Sequence, residues 1–237
     1  MSALETSFAG QVARFAARKS LSQEIAALIK QALIDGTLAP GDRIVESKLA
    51  QDLGVSLTPV REAVRELAGQ GILTVSPNRG PSVRILTPED ALELYSLRAM
   101  LEGLAIRLAI VHATPDERAV VAGVLDEMAA LVDDETVSSL QGYSPRIHDG
   151  IVQLSKHERL IATYQSLALQ IALLNRVVAP TSSKQHEVDW HRPVIAVLLG
   201  DDCDRAERVL RDHIREACEV YMAASGAAAT RAGDEWF

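Results

Sequence analysis

Aromatic side chains are scarce: three Phe, two Trp and four Tyr make up 4% of 237 residues. A core without them must be built from Ala, Leu, Val and Ile, which favours packed helices over a β-sandwich. Cysteine is almost absent. Cys203 and Cys218 stand fifteen residues apart, with no CxxC pair, which excludes a zinc ribbon or a dithiol redox motif and leaves small buried hydrophobes in a reducing compartment. No apolar run approaches the ~18 residues of a membrane helix, and no secretory leader is visible. The expected compartment is the cytoplasm, with no membrane partner. There is no HExxH and no nucleophile elbow, and no general base stands obviously near the histidines, so an enzyme is not expected.

What is present is ordinary in bulk and uneven in detail. Hydrophobic residues are 48% and charged residues 24% of the chain, enough for two modest domains each with its own core. The net charge of −8 hides a division. Residues 1–85 carry ten Lys/Arg against eight Asp/Glu, a net of +2, whereas residues 86–237 carry 14 against 24, a net of −10. An acidic protein with a locally basic N-terminal part suits a nucleic-acid-reading module joined to a domain of another kind.

Helical periodicity runs from Leu21 to Ile34 through Ile25, Leu28, Ile29, Ala32 and Leu33, and Gly36 ends it. Ala39-Pro40-Gly41-Asp42 is a turn. A second helix is expected over Ser47–Leu53 with Ser47 as N-cap, and Gly54 breaks it. A third begins with Ser56 or Thr58 as cap and Pro59 in its first turn, and runs to about Gln70 before Gly71. Thr58, Arg61 and Arg65 share its uncovered face, as a recognition helix requires. Ile72–Val75 and Ser82–Ile85 are short β-prone runs around the turn Ser76–Pro81, placing Arg79 and Gly80 at the tip of a wing that can touch phosphate or minor groove.

Beyond the linker Leu86–Asp90 the pattern is helical throughout, over about 88–111, 115–132, 143–154, 157–178, 187–199 and 202–224. Thr87-Pro88 and Thr114-Pro115 each begin a helix with a cap, a proline and then an acid. The fold class is therefore mainly α: a winged helix-turn-helix of three helices and a small hairpin, followed by an all-helical bundle. The domains are an arm at 1–20, the winged helix at 21–86, the helical domain at 87–226 and a frayed tail at 227–237.

The run Leu38-Ala39-Pro40-Gly41-Asp42-Arg43-Ile44, with Glu46, Leu49-Ala50, Leu53-Gly54-Val55-Ser56, Thr58-Pro59-Val60-Arg61-Glu62-Ala63 and Arg79-Gly80, closely resembles the DNA-binding domain of the GntR family of bacterial transcriptional regulators. Arg98, Glu102, His148, Leu160, His191, Asp202, Ala206 and His213 resemble, more sparsely, the all-helical FCD effector domain of its FadR-type branch. The resemblance implies a homodimeric regulator, expected to be a repressor, that reads a palindromic operator in double-stranded DNA. The DNA contacts expected are Lys48, Ser56, Thr58, Arg61, Arg65, Arg79 and Gly80. The family has Arg immediately before its Thr-Pro-Val-Arg run; here that residue is Leu57, which offers an apolar contact in place of a two-pronged bond to guanine. Ser47 likewise stands where a basic residue is common.

The resemblance also implies that His148, His191 and His213 ligate a divalent metal, zinc first, with nickel, cobalt or manganese as alternatives. The family's aspartate four residues before the first histidine is here Ser144, so one anionic ligand is missing. Three histidines hydrogen-bonded to one another or to water are the plain alternative. His112, His157 and His186 have no such support, and His157 falls where the family often has Asn. A small carboxylate effector is expected on the metal, with Arg98 taking a second carboxylate, or else paired with Glu102 along its own helix. Ser144 is a further pocket candidate, and Asn175 and Arg176 are weaker ones. Two rival readings are a metal-dependent hydrolase fused to the DNA reader and a regulator whose metal is purely structural.

Overall fold

The computed structural model describes residues 20–77, 79–140, 142–178, 183–226 and 236–237, without the side chains of 176–178. Most of the expected arm, with Arg14, Arg18 and Lys19, lies outside the described residues, as do Asn78 of the wing turn, the Arg176 side chain and most of the tail. The chain divides into two compact units, with the boundary between Ile85 and Leu86.

The first unit contains α1 (Leu21–Asp35), α2 (Glu46–Asp52), α3 (Leu57–Gly69), β1 (Leu73–Ser76) and β2 (Gly80–Val83). Ser20 caps α1 in a reciprocal box with Gln23, and Gly36 leaves it in the left-handed conformation at φ 83°. Only one stripe of α1 is covered: Ile25, Ala26, Ile29 and Leu33 are buried, while Leu21 and Leu28 stay exposed. The core is completed by Ile44, Ala50, Val60, Ala63, Val64, Leu67, Ile72, Leu73 and Val83.

The turn between α2 and α3 is made by Gly54 at φ 66°, a backbone conformation that a side chain would strain. The N–H of Val55 donates to the Ala50 carbonyl at 3.0 Å and closes the corner. One expected cap is corrected here, and one pair of alternatives is decided. The N-cap of α2 is Val45, not Ser47, and it makes no side-chain cap bond. Extended pairing of Asp42–Ile44 with β2 carries the chain to Val45 before it can coil, which places Ser47 inside the helix. Ser56 holds the cap position of α3 without a side-chain bond, and Thr58 lies within the helix.

The wing is antiparallel, with Leu73 opposite Val83 and Ser76 opposite Gly80, so the hairpin is tighter than the sequence runs suggest. Arg43 bridges to Ser82 on the far side of β2, and the Ile44 N–H donates to the Pro81 carbonyl at 2.9 Å. Pro81 has no N–H to give, and the strand accommodates it with this carbonyl alone.

The second unit contains α4 (Pro88–His112), α5 (Pro115–Ala130), α6 (Tyr143–Leu154), α7 (Glu158–Val178), α8 (Lys184–Leu198) and α9 (Cys203–Ala224). Reciprocal boxes start α4 at Thr87/Asp90 and α5 at Thr114/Glu117. Asp202 caps α9. α8 begins three residues earlier than expected, because the Ser183 side chain accepts from the His186 N–H. His157 is explained as a cap of α7: its Nδ1 accepts from the Leu160 N–H at 3.2 Å, a bond that Asn makes equally well.

α4 is the central helix and shares its largest interface with α9, then meets α6 and α7; α5 packs on α6 and α8. The buried Arg118 of α5 donates to the Leu198 and Gly200 carbonyls at 3.1 and 2.7 Å, satisfying the end of α8. Gly150 lets α6 seat closely on α5, since a Cβ there would stand 3.0 Å from Cγ2 of Val121. Cys218 is buried, with its thiol pushed up to about 12 by desolvation, and Cys203 is half-buried; both are free, as expected for small hydrophobes.

Candidate functional site

On the first unit, Thr58, Arg61 and Arg65 are all exposed on α3, at the i, i+3 and i+7 spacing of one helical face. The opposite stripe, Val60, Ala63, Val64 and Leu67, is what holds α3 down. Ser56 at the cap, Lys48 on α2 and Arg79 on the wing are exposed as well, and Gly80 is half-buried. Arg61 makes one loose contact, Nε to Glu46 at 3.4 Å, with 56% of its side chain exposed, so its guanidinium is held near α2 without being used up. Leu57 is half-buried in the first turn of α3.

In the second unit, α6, α8 and α9 bring His148, His191 and His213 together, all buried. One ligand-capable atom from each lies within 4.8 Å of the others. Nε2 of His148 and Nε2 of His213 are 3.3 Å apart, and Nε2 of His191 faces Oγ of Ser144 at 3.1 Å. Ser144 thus occupies the vacant aspartate position as a hydrogen-bond partner of the centre.

The partners fix two tautomers. His148 Nδ1 meets Oε2 of Glu102 at 2.5 Å, and His191 Nδ1 meets the Glu187 carbonyl at 2.7 Å. Neither oxygen can donate, so both Nδ1 atoms carry the proton and both Nε2 atoms offer lone pairs. Burial lowers all three imidazoles from 6.5, His213 well below that value and His191 to about 3, which keeps them neutral near pH 7. Nδ1 of His213 is buried without a hydrogen-bond partner among the described residues, so the trio does not satisfy itself. Neutral imidazoles with converging lone pairs are a donor set that fits a borderline divalent cation.

A carboxylate, that of Glu102, does stand beside the histidines. Burial alone would raise its carboxyl, but Arg98 and His148 overcome burial and hold it at about 2. A carboxylate held so low is a weak base, so it is an electrostatic partner rather than a proton acceptor for substrate. Arg98 donates from Nε to Oε1 of Glu102 at 2.6 Å, with side-chain exposures of 4% and 0%. Burial works against the Arg98 charge, and Glu102 with Tyr164 outweighs it. The helix pair and the pocket role of Arg98 therefore coexist. The sequence carried one signal for Glu102, an Arg–Glu pair at i, i+4 between the apolar Tyr95 and Ile106. Its reach to a histidine 46 residues away had none.

A cavity of about 50 Å³ opens beside the centre, lined among others by Tyr95, Arg98, Ser144, Asn175 and Trp190. All three expected effector residues, Arg98, Ser144 and Asn175, are therefore on it. The Tyr95 hydroxyl donates to Oδ1 of Asn175 at 3.3 Å, which leaves the amide N–H₂ as a donor. A larger cavity of about 320 Å³ shares Arg98 and Asn175 as a common wall. Trp190, missed in the sequence, packs its ring 4.8 Å from that of His213 and donates from Nε1 to Glu216 at 3.0 Å. His112 and His186 take no part in the centre: the His112 carbonyl accepts from Lys156, and His186 stacks on Trp190.

Comparison with known proteins agrees with both units. Residues 21–83 match the family described as bacterial regulatory proteins, gntR family, and residues 93–216 match the FCD domain. The Nta operon transcriptional regulator of Aminobacter aminovorans is 36% identical over 165 residues, covering 68% of this chain and 75% of that protein. The probable D-xylose utilization operon transcriptional repressor of Paenarthrobacter nicotinovorans is 28% identical over 199 residues, covering 83% and 87%. A putative GntR transcriptional regulator from Rhodococcus sp. RHA1 has the same fold, with a TM-score of 0.71 at 23% identity over 89% of this chain and all of that one. McbR/YncC of E. coli gives a TM-score of 0.69 at 23% identity over 87% and 99%. With a winged helix-turn-helix bearing exposed arginines and a helical bundle holding the histidines, this chain belongs to the GntR family of bacterial transcriptional regulators, and its helical unit is an FCD domain.

Proposed function

We propose that the protein is a homodimeric, cytoplasmic repressor whose hold on a palindromic operator is set by a small organic acid bound at a three-histidine metal centre. The supporting observation is the convergence of three neutral imidazoles on a cavity that also presents Arg98 and the Asn175 amide. Arg61 and Arg65, with Thr58 and Ser56, would read the major groove from α3, Leu57 would add an apolar contact, and Lys48, Arg79 and Gly80 would meet the backbone. His148, His191 and His213 would hold the metal, zinc by preference, with nickel, cobalt or manganese also suited to imidazole. A bound divalent cation would supply a Lewis-acid anchor for one carboxylate oxygen.

The residues of the chain do the remaining work. Arg98 turns one edge to Glu102 and leaves its terminal N–H groups for a second anionic group. The Asn175 amide and the Ser144 hydroxyl orient the acid. Regulation requires that the acid bind the DNA-competent and incompetent arrangements with different affinity. The relative from Paenarthrobacter nicotinovorans is named a probable repressor, which favours that sign here.

The test is operator affinity. The zinc-loaded chain is titrated by fluorescence anisotropy against a duplex selected from random DNA, with and without a panel of mono- and dicarboxylic acids. At least one acid should lower the affinity, and Arg98→Met should remove the response. Zinc uptake with no response to any acid would replace this reading with a purely structural metal.

A further inference from the structure

The ligand set lacks an anion, and a fully buried carboxylate on another helix, that of Glu102, meets one of its members directly. Glu102 on α4 is fully buried and points both oxygens at named partners: Oε1 to Arg98 Nε at 2.6 Å and Oε2 to His148 Nδ1 at 2.5 Å. The first contact removes the freedom of the carboxylate to turn away. The second fixes the ring orientation of His148 and leaves its Nε2 facing the other histidines. The three imidazoles are not backed alike. His191 is oriented by a neutral backbone carbonyl, and His213 Nδ1 has no partner among the described residues. Among the described residues, His148 is the one whose Nδ1 is held by a carboxylate.

Arg98 also lines the histidine cavity. Without Glu102, a divalent cation there would share a buried pocket with an uncompensated guanidinium, and at low dielectric that repulsion is severe. We propose that Glu102 is the positioning residue of the centre: it orients His148 and supplies from α4 the negative charge that Ser144 does not, so that the metal affinity of this chain depends on α4 as much as on its three ligands. This rests on the metal reading given above.

The experiment measures zinc affinity of the full chain, stripped with chelator and titrated in competition with a chromophoric chelator. Glu102→Gln is expected to bind zinc about 10–100-fold more weakly than the wild type, the usual cost of losing a carboxylate behind a ligating histidine. Glu102→Asp, which keeps the charge, should recover part of that loss, which a purely structural role of the side chain would not predict. Because a lone buried Arg98 can prevent Glu102→Gln from folding, the decisive pair is Arg98→Met against Arg98→Met/Glu102→Gln, in which no cation is left unpaired. Arg98→Met should keep wild-type affinity or exceed it, and the double variant should fall at least about tenfold below Arg98→Met. Equal zinc affinity of those two overturns the proposal. A wild-type chain that takes up no zinc overturns the metal reading and this inference with it.

Discussion

Two arginine–glutamate pairs, one in each unit, show what surroundings do to the same chemistry. Arg61 and Glu46 meet at 3.4 Å with 56% and 25% of their side chains exposed. Arg98 and Glu102 meet at 2.6 Å with 4% and 0% exposed. The first pair is solvated at both ends and its arginine can exchange Glu46 for a phosphate or a base edge at little cost. The second pair sits in a low dielectric, where neither partner can leave without stranding the other. In this comparison the pair of the DNA-reading unit is loose and available, and the buried pair of the FCD unit is fixed.

Acidification should separate the units most sharply. Residues 1–85 contain no histidine, whereas the FCD unit buries three whose imidazoles desolvation holds below 6.5. A folded-state value below the unfolded one means that the unfolded chain binds more protons. The stability is therefore present above pH 6.5 and is lost as pH falls below it, towards the folded value of about 3 for His191. In metal-free protein, the denaturation midpoint followed by tryptophan fluorescence should fall steadily between pH 7 and pH 5. Both tryptophans, Trp190 and Trp236, report on this unit alone. A flat midpoint over that range would contradict the neutral trio.

Glu102→Ala comes next. Stranding Arg98 should cost the metal-free FCD unit about 3–5 kcal/mol in chemical denaturation. Arg61→Ala should weaken operator binding by about 1–3 kcal/mol and flatten its dependence on salt by about one counterion. Unchanged affinity would remove α3 from the interface. Thr87→Ala, which breaks the box at the start of α4, should cost about 1 kcal/mol, and Ser56→Ala, whose hydroxyl caps nothing, clearly less. At the bottom of the scale, Glu46→Ala should change stability by no more than about 0.5 kcal/mol. A larger loss would erase the contrast between the two pairs.

What was legible in the sequence follows the range of the interaction that decides it. Gly36, Gly54, Thr87-Pro88 and Thr114-Pro115 announce their turns and caps within four residues, and α4 and α5 begin where those signals say. The start of α2 escapes local reading because it is set by pairing of Arg43 with Ser82, 39 positions on, and not by Ser47 beside it. The start of α8 is hidden because Ser183 caps it with no acid three residues on. Of the site, the three histidines, Arg98, Ser144 and Asn175 were readable through resemblance. Glu102 was visible as a helix pair but not as the partner of His148, and Trp190 was not singled out, since both act across helices whose packing no local pattern encodes.

Six residues beyond Ser144, and just past His148, Gly150 faces Val121 with only a hydrogen atom between the two helices. The depth to which α6 sinks, and with it the height of one imidazole above its neighbours, is thereby set by a missing methyl group on the far side of the helix. The centre is thus gauged from its back: changing the thickness of that contact by one carbon would move His148 by tenths of an ångström without touching a residue that lines the cavity.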